Sequence, residues 1–237
     1  MMQSTLTVAL DVRTPPLAPL VLLAFLGAGV LVVGSAVGGA IALAARRFGL
    51  AKILLGGGLA AALVYGALLA GAALLSRERV LKAGEKKYFC EMDCHLACSV
   101  VATATPREGV RAVTVRTWFD PSTIAAFRGN APLSPNPRVV YLVDESSRRY
   151  EPSTEATKAW EHAPGHSPPL ARELSPGDSY DTTFVFDVPP ASSRLRLFVG
   201  DAPGLESLLI GHENSPLHGK VYFELPELSA APLQPQS

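Results

Sequence analysis

The sequence predicts a two-helix transmembrane hairpin followed by an all-β antiparallel sandwich, and three observations carry that prediction. The 237 residues balance 21 Lys and Arg against 21 Asp and Glu, yet residues 1–80 hold only six basic and two acidic side chains. Two runs without a charge, Thr14 to Ala45 and Ile53 to Ser76, cover 32 and 24 residues. Seventeen of the 20 prolines lie past Lys82, where short alternations of apolar and polar residues replace the long apolar runs. The zero formal charge lacks the basic excess of a nucleic-acid binder, so no nucleic-acid partner is expected.

At the helical rise of about 1.5 Å per residue the two runs reach roughly 48 and 36 Å, against a hydrocarbon core of about 30 Å. A bilayer has no water for unpaired peptide groups, so both runs are expected as helices. The predicted order is a short N-terminal segment over 1–16, helices over 17–45 and 53–76, and a basic loop over 46–52 between them. A cleaved signal peptide is the alternative for the first run, but the stretch is about twice too long and lacks a basic start. Gly34 and Gly38 form a small-xxx-small pair that suits helix packing, within the hairpin or between two copies. Neither run has an ionisable residue at its centre, which reads as an anchor in the lipid bilayer rather than a transport path.

Arg46, Arg47 and Lys52 in the loop, with only Arg13 before the first helix, favour a cytoplasmic loop with both ends of the chain outside. Arg77, Arg79, Lys82, Lys86 and Lys87 pull the other way. The first helix usually dominates orientation, so the expectation is a two-pass bacterial inner-membrane protein with its C-terminal domain periplasmic or extracellular.

After a linker at 77–85, the sandwich is expected over 86–226, with a flexible tail at 227–237. Tyr180, Thr182, Phe184, Phe186 and Val188 alternate with Asp181, Thr183 and Asp187, the pattern of a half-buried strand. Further strands are expected at Cys94–Thr103, Val110–Phe119, Arg138–Asp144, Arg194–Val199, Glu206–Ile210 and Lys220–Leu225. Val139 to Val143 are apolar on both faces, which suits a strand inside a sheet. Turn signals at Pro106 to Gly109, Asp144 to Arg148 and Ser175 to Asp178 separate the strands. Thr154 to His162 is a candidate short helix ended by Pro164-Gly165.

The run Tyr141-Leu142-Val143-Asp144, then Arg149-Tyr150, then Leu174-Ser175-Pro176-Gly177-Asp178-Ser179 leading into Phe184-Val185-Phe186-Asp187-Val188-Pro189, resembles a bacterial domain family. These are the immunoglobulin-like domains of unknown function of lipoproteins and membrane-anchored surface proteins, related to a secreted mycobacterial immunoprotective antigen. The resemblance spans residues 85–226 and implies an immunoglobulin-like, extracytoplasmic sandwich without catalytic residues. A two-helix hairpin departs from that family's single anchor.

All three cysteines lie between Tyr88 and Cys98. A turn at Glu91-Met92-Asp93 would bring Cys90 and Cys94 together as a disulfide in an oxidising compartment, leaving Cys98 as a buried strand residue. The sharper alternative is a copper or zinc site, or thiol-redox chemistry. Cys90, Cys94 and His95, with His212 and His218 from Gly211 to His218, supply two thiolates and three imidazoles. The dinuclear copper motif of the cytochrome oxidase subunit with a membrane hairpin and an outer sandwich is similar, but Cys98 stands where its second-half His belongs and no Met follows. His212-Glu213 with His218 is not the metalloprotease helix motif, since position 216 is Pro. No phosphate loop or Ser/His/Asp signature is present, so no enzyme activity and no obligatory cofactor are expected. The sequence therefore predicts a binding or scaffolding role with an unidentified envelope protein or ligand, and an envelope metal or thiol protein as the alternative.

Overall fold

Two helices open the computed structural model, which describes residues 18–89, 95–124, 129–136, 138–161, 172–190 and 192–225. The expected N-terminal segment, the tail, and Cys90, Cys94, His162 and His166 lie outside the described residues. Helix α1 runs over Ala18–Ala44 and α2 over Phe48–Leu75. Both are long and apolar enough to cross a membrane. They are apolar around their circumference: Val30, Ile41, Ile53 and Leu63 all point outward and exposed. A helix of that kind needs an apolar surrounding rather than one buried face.

The connection is shorter than its charges suggest. Helix α2 begins at Phe48 rather than Ile53, because Lys52 is a good helix former and charge alone does not stop a helix. The reversal takes only Ala45 to Arg47, with Arg46 in the left-handed region at φ 55°. The helices pack closely at Gly39 and Gly58: a Cβ on Gly39 would come 2.6 Å from the Leu55 side chain, and one on Gly58 2.7 Å from the Cβ of Ser35. A Cβ on Gly38 would meet the Leu54 side chain at 3.2 Å, whereas one on Gly34 would meet nothing within 4 Å.

The chain divides into two compact units. The first holds the helices together with residues 203–219, and the second holds 78–202 and the chain from Lys220 onward. Among the described residues of the second unit, nine strands form two sheets: β1 Arg79–Leu81, β2 Lys87–Phe89, β3 Leu96–Ala104, β4 Val110–Phe119, β5 Arg138–Val143, β6 Arg149–Tyr150, β7 Ser179–Asp187, β8 Arg196–Asp201 and β9 Val221–Glu224. One sheet has the order β1-β9-β8-β5-β6 and the other β2-β3-β4-β7. Strands β4 and β7 are neighbours in one sheet, while their successors β5 and β8 are neighbours in the other, which interlocks the layers. All pairings are antiparallel except β1 with β9, which is parallel.

The inward faces supply the core: Val100, Val113, Val115, Val140, Leu142, Phe186, Leu197, Val199 and Phe223. Both outer faces are partly covered as well. Ala156 of the short helix α3, Thr154–Glu161, packs on Val110, Ala112 and Val185. On the opposite sheet Tyr141, Val143, Phe198 and Tyr222 form an aromatic face, with Tyr141 stacked on Phe198 at 4.7 Å between centroids. Cations cap this face: Arg149 lies 3.6 Å from the Tyr141 centroid and Lys220 5.0 Å from that of Phe198.

Glu206–Ile210 is not a strand; Leu205–Leu208 forms a 3-10 turn, because no neighbouring strand pairs with its alternating side chains. Residues 77–85, expected as a linker, contain β1, whose pairing with β9 closes a sheet edge.

Candidate functional site

The end of the sandwich that flanks residues 90–94 carries an unusual density of buried polar groups. Strand β2 places Lys87 inward, and its Nζ donates to the carbonyls of Val199 at 2.5 Å and Val221 at 3.3 Å. Strands β8 and β9 are paired only as far as Phe198 and Tyr222, so the ammonium sits where the ladder has opened. The Phe198 ring lies 4.6 Å from it. Arg138, at the start of β5, places its guanidinium 4.0 Å from the Phe89 centroid and pairs with Asp201. The sequence concealed both groups, since a lysine or arginine at a strand end ordinarily reads as solvent-facing.

His95 is buried and its ring lies 4.7 Å from that of Phe119. Its carbonyl accepts from the Asp120 N–H at 2.7 Å. The Asp120 carboxylate receives the Tyr88 hydroxyl at 2.8 Å and the Ser122 N–H and hydroxyl at 2.9 and 2.6 Å. Burial pushes Asp120 upward, but the Ser122 and Tyr88 hydrogen bonds, with Lys86 nearby, hold it below its ordinary value. Burial and the Asp120 bond push Tyr88 up to about 12. Asp120 is thus ionised and Tyr88 protonated at neutral pH. Their contact fastens β2 to the turn after β4.

Cys98 is a buried free thiol 3.7 Å from the Thr117 hydroxyl, as expected for a strand residue. Burial pushes it up against the opposing influence of Thr117, Arg138 and Lys87, which makes it a poor nucleophile. The three described histidines do not share a unit: His95 belongs to the sandwich, and His212 and His218 to the unit that holds the helices. His212 Nδ1 accepts the Asn214 N–H at 3.1 Å, and His218 Nδ1 lies 2.8 Å from the Gly219 carbonyl. Among the described residues no group of three or more His, Cys, Asp or Glu could hold a metal.

A second place was not singled out by any sequence motif. A cleft of about 690 Å³ opens in the sandwich unit, with Val80, Val113, Leu195 and Leu225 as apolar walls and Arg111, Arg194 and Arg196 among its polar lining. Arg196 is paired with Glu78, and Arg111 donates to Thr105 at 2.7 Å. Glu145, also in the lining, accepts from Ser193 at 2.7 Å. Arg194 is held in the left-handed region at φ 49°. This size and mixture of walls suit a small ligand or a short chain segment.

No protein family matches the chain, and no curated protein matches it. Among solved structures it is similar to the YjhA protein of Bacillus subtilis, at 15% identity over 62% of this chain and 99% of that one, with a TM-score of 0.38. It is also similar to MPT63, a secreted protein of Mycobacterium tuberculosis, at 12% identity over 62% of this chain and 97% of that one, with a TM-score of 0.37. A conserved hypothetical protein of Bacillus anthracis is similar at 16% identity, over 48% of this chain and 90% of that one, with a TM-score of 0.32.

Proposed function

We propose that the chain is a two-pass bacterial inner-membrane protein that displays an immunoglobulin-like binding domain outside the cytoplasm. The observation that carries this reading is the pair of apolar helices whose large side chains point outward along their whole length. Such a surface is stable in lipid and not in water. The hairpin turn with Arg46 and Arg47 faces the cytoplasm, following the excess of basic residues in short cytoplasmic loops. The immunoglobulin-like assignment draws on the interlocked pairs β4/β7 and β5/β8, the arrangement of a Greek-key sandwich. A binding role is the reading the cleft supports, because it sets cations beside apolar walls. Its ligand carries an anionic group for Arg194 and Arg111 and an apolar part for Val80, Leu195 and Leu225.

The test is a pair of fusions to the C-terminus of the full chain, one to alkaline phosphatase and one to green fluorescent protein, with alkaline carbonate washing of the membranes. The expected result is active phosphatase, dark fluorescent protein and retention in the membrane pellet. Release by carbonate would overturn the anchor. A fluorescent fusion with inactive phosphatase would overturn the orientation.

A further inference from the structure

Residues 203–219 lie between β8 and β9 in sequence, yet they belong to the unit that holds the helices. Two hydrogen bonds fasten them along α2. The Tyr65 hydroxyl donates to the Leu208 carbonyl at 2.8 Å, and the Gly219 N–H donates to the Ser76 hydroxyl at 2.6 Å. The loop therefore follows the last three turns of α2, a length of about 16 Å at the helical rise.

Those turns have a definite depth if the anchor proposed above is correct, and the inference rests on that reading. With Phe48 at one hydrocarbon boundary, next to Arg46 and Arg47, Tyr65 lies about 26 Å further along the helix. That is near the opposite boundary of a core about 30 Å thick. Tyrosine is enriched at this level, where its ring is in lipid and its hydroxyl meets polar groups. Ser76 then falls about 12 Å beyond that boundary along the helix, on the aqueous side of the headgroups. The loop between these two attachments occupies the interfacial layer of the leaflet in which α2 ends.

Its chemistry suits that layer. A succession of tight turns satisfies its own backbone: Leu209 N–H to the Glu206 carbonyl at 2.9 Å, His212 to Leu209 at 3.1 Å, Ser215 to His212 at 2.9 Å and His218 to Ser215 at 3.1 Å. The Ser215 hydroxyl also donates to the Leu209 carbonyl at 2.7 Å. With those groups paired, the desolvation cost that keeps irregular chain out of lipid is much reduced. The outward side chains are leucines: Leu205 is 75% exposed and Leu217 76%, with Leu208 at 42%. Leu74 and Leu75 on the adjoining end of α2 are exposed as well.

We infer that residues 203–219 are a second membrane-contacting element, which inserts Leu205, Leu208 and Leu217 among the lipids of the leaflet where α2 ends. The capture is apolar rather than electrostatic, since the loop contains Glu206 and Glu213 and no Lys or Arg.

The test uses the full chain reconstituted in phosphatidylcholine vesicles, with Leu205→Trp and Leu217→Trp as reporters and lipids brominated either near the glycerol or near the chain end. The wild-type chain gives the background of Trp118 and Trp160, and Val30→Trp, at the middle of α1, reports the anchor. The expected result is a blue-shifted reporter emission quenched more by shallow than by deep bromines, unchanged in high salt. Val30→Trp is expected to show the opposite depth preference. Loop reporters that stay unquenched while Val30→Trp is quenched would overturn the inference and leave the anchor standing. Quenching that appears only with anionic lipid and vanishes in salt would also overturn it. If Val30→Trp is unquenched as well, the anchor fails and the inference with it.

Discussion

Asp144 shows how much one side chain can fix. At the β5–β6 turn its carboxylate accepts from the Ser146 hydroxyl at 2.7 Å, the Ser146 and Arg148 N–H groups at 2.9 Å each and the Tyr150 hydroxyl at 2.8 Å. The Ser146 hydroxyl leads the interactions that hold Asp144 at about 2. A carboxyl lowered on folding stabilises the native state above its unfolded value, about 3.9, and that contribution is lost as pH falls toward the folded value. Asp144→Asn is therefore expected to lower the midpoint of thermal unfolding at neutral pH, with the gap to wild type closing as the pH approaches about 2. A gap independent of pH would show that the charge is not what matters. Lys87 makes a different kind of contribution. Lys87→Met keeps most of the volume but leaves the Val199 and Val221 carbonyls without the ammonium, an expected cost of about 1–3 kcal/mol. A denaturant titration of the sandwich checks it, and an unchanged midpoint would mean that other partners replace the lysine. The Asp144 turn was legible in the sequence, as an Asp two residues before Ser146 between strand patterns. The Lys87 site was not, because it depends on where two distant strands cease to pair.

At the scale of elements, what could be read from the sequence depended on whether a pattern was local. Val110–Phe119 is a strand with the expected ends, and the alternation over Tyr180–Val188 is observed as β7, Ser179–Asp187. Strands β1 and β2 were not anticipated: three residues each, they contain Arg79 and Lys87 and exist through pairing with β9 and β3. The leucines of 205–209 carried an apolar pattern but no partner strand, and the chain settled into turns instead. Helix packing was legible only as a wealth of small residues. Tight contacts fall at Gly39 against Leu55 and at Gly58 against Ser35, and Gly34 faces open space. Gly58→Val is expected to destabilise the hairpin by about 1–3 kcal/mol through overpacking, and Gly34→Val to leave it unchanged. Thermal stability of the detergent-solubilised chain measures both, and equal effects would contradict the packing described.

For the whole molecule, the zero net charge of the sequence is a sum over unlike parts, a +4 portion over residues 1–80 and a −4 remainder. The division into helices and sandwich follows from that partition and from where the prolines lie, both of which are visible without coordinates. Membership of residues 203–219 in the helical unit was invisible, because it rests on contacts between distant segments, among them two hydrogen bonds that each span 143 positions of sequence. The sandwich also begins closer to the anchor than its composition suggests. A chain that starts at Glu85 lacks β1 and exposes the edge of β9, so it is expected to self-associate more than one that starts at Glu78. Light scattering of the two purified proteins decides this, and equal scattering would show that β1 does not protect the edge.

The parallel pairing of β1 with β9 has a mechanical consequence. Only Ser76, Arg77 and Glu78 separate the end of α2 from β1. Tension applied between the chain before β1 and the chain after β9 is directed along two strands that run the same way. The three registers Arg79 with Val221, Val80 with Tyr222 and Leu81 with Phe223 are then loaded in shear, all at once. An antiparallel edge pulled from its open end would instead unzip one bond at a time. Strand β1 thus acts as a clasp, and the sandwich resists opening when it is pulled from the side of α2.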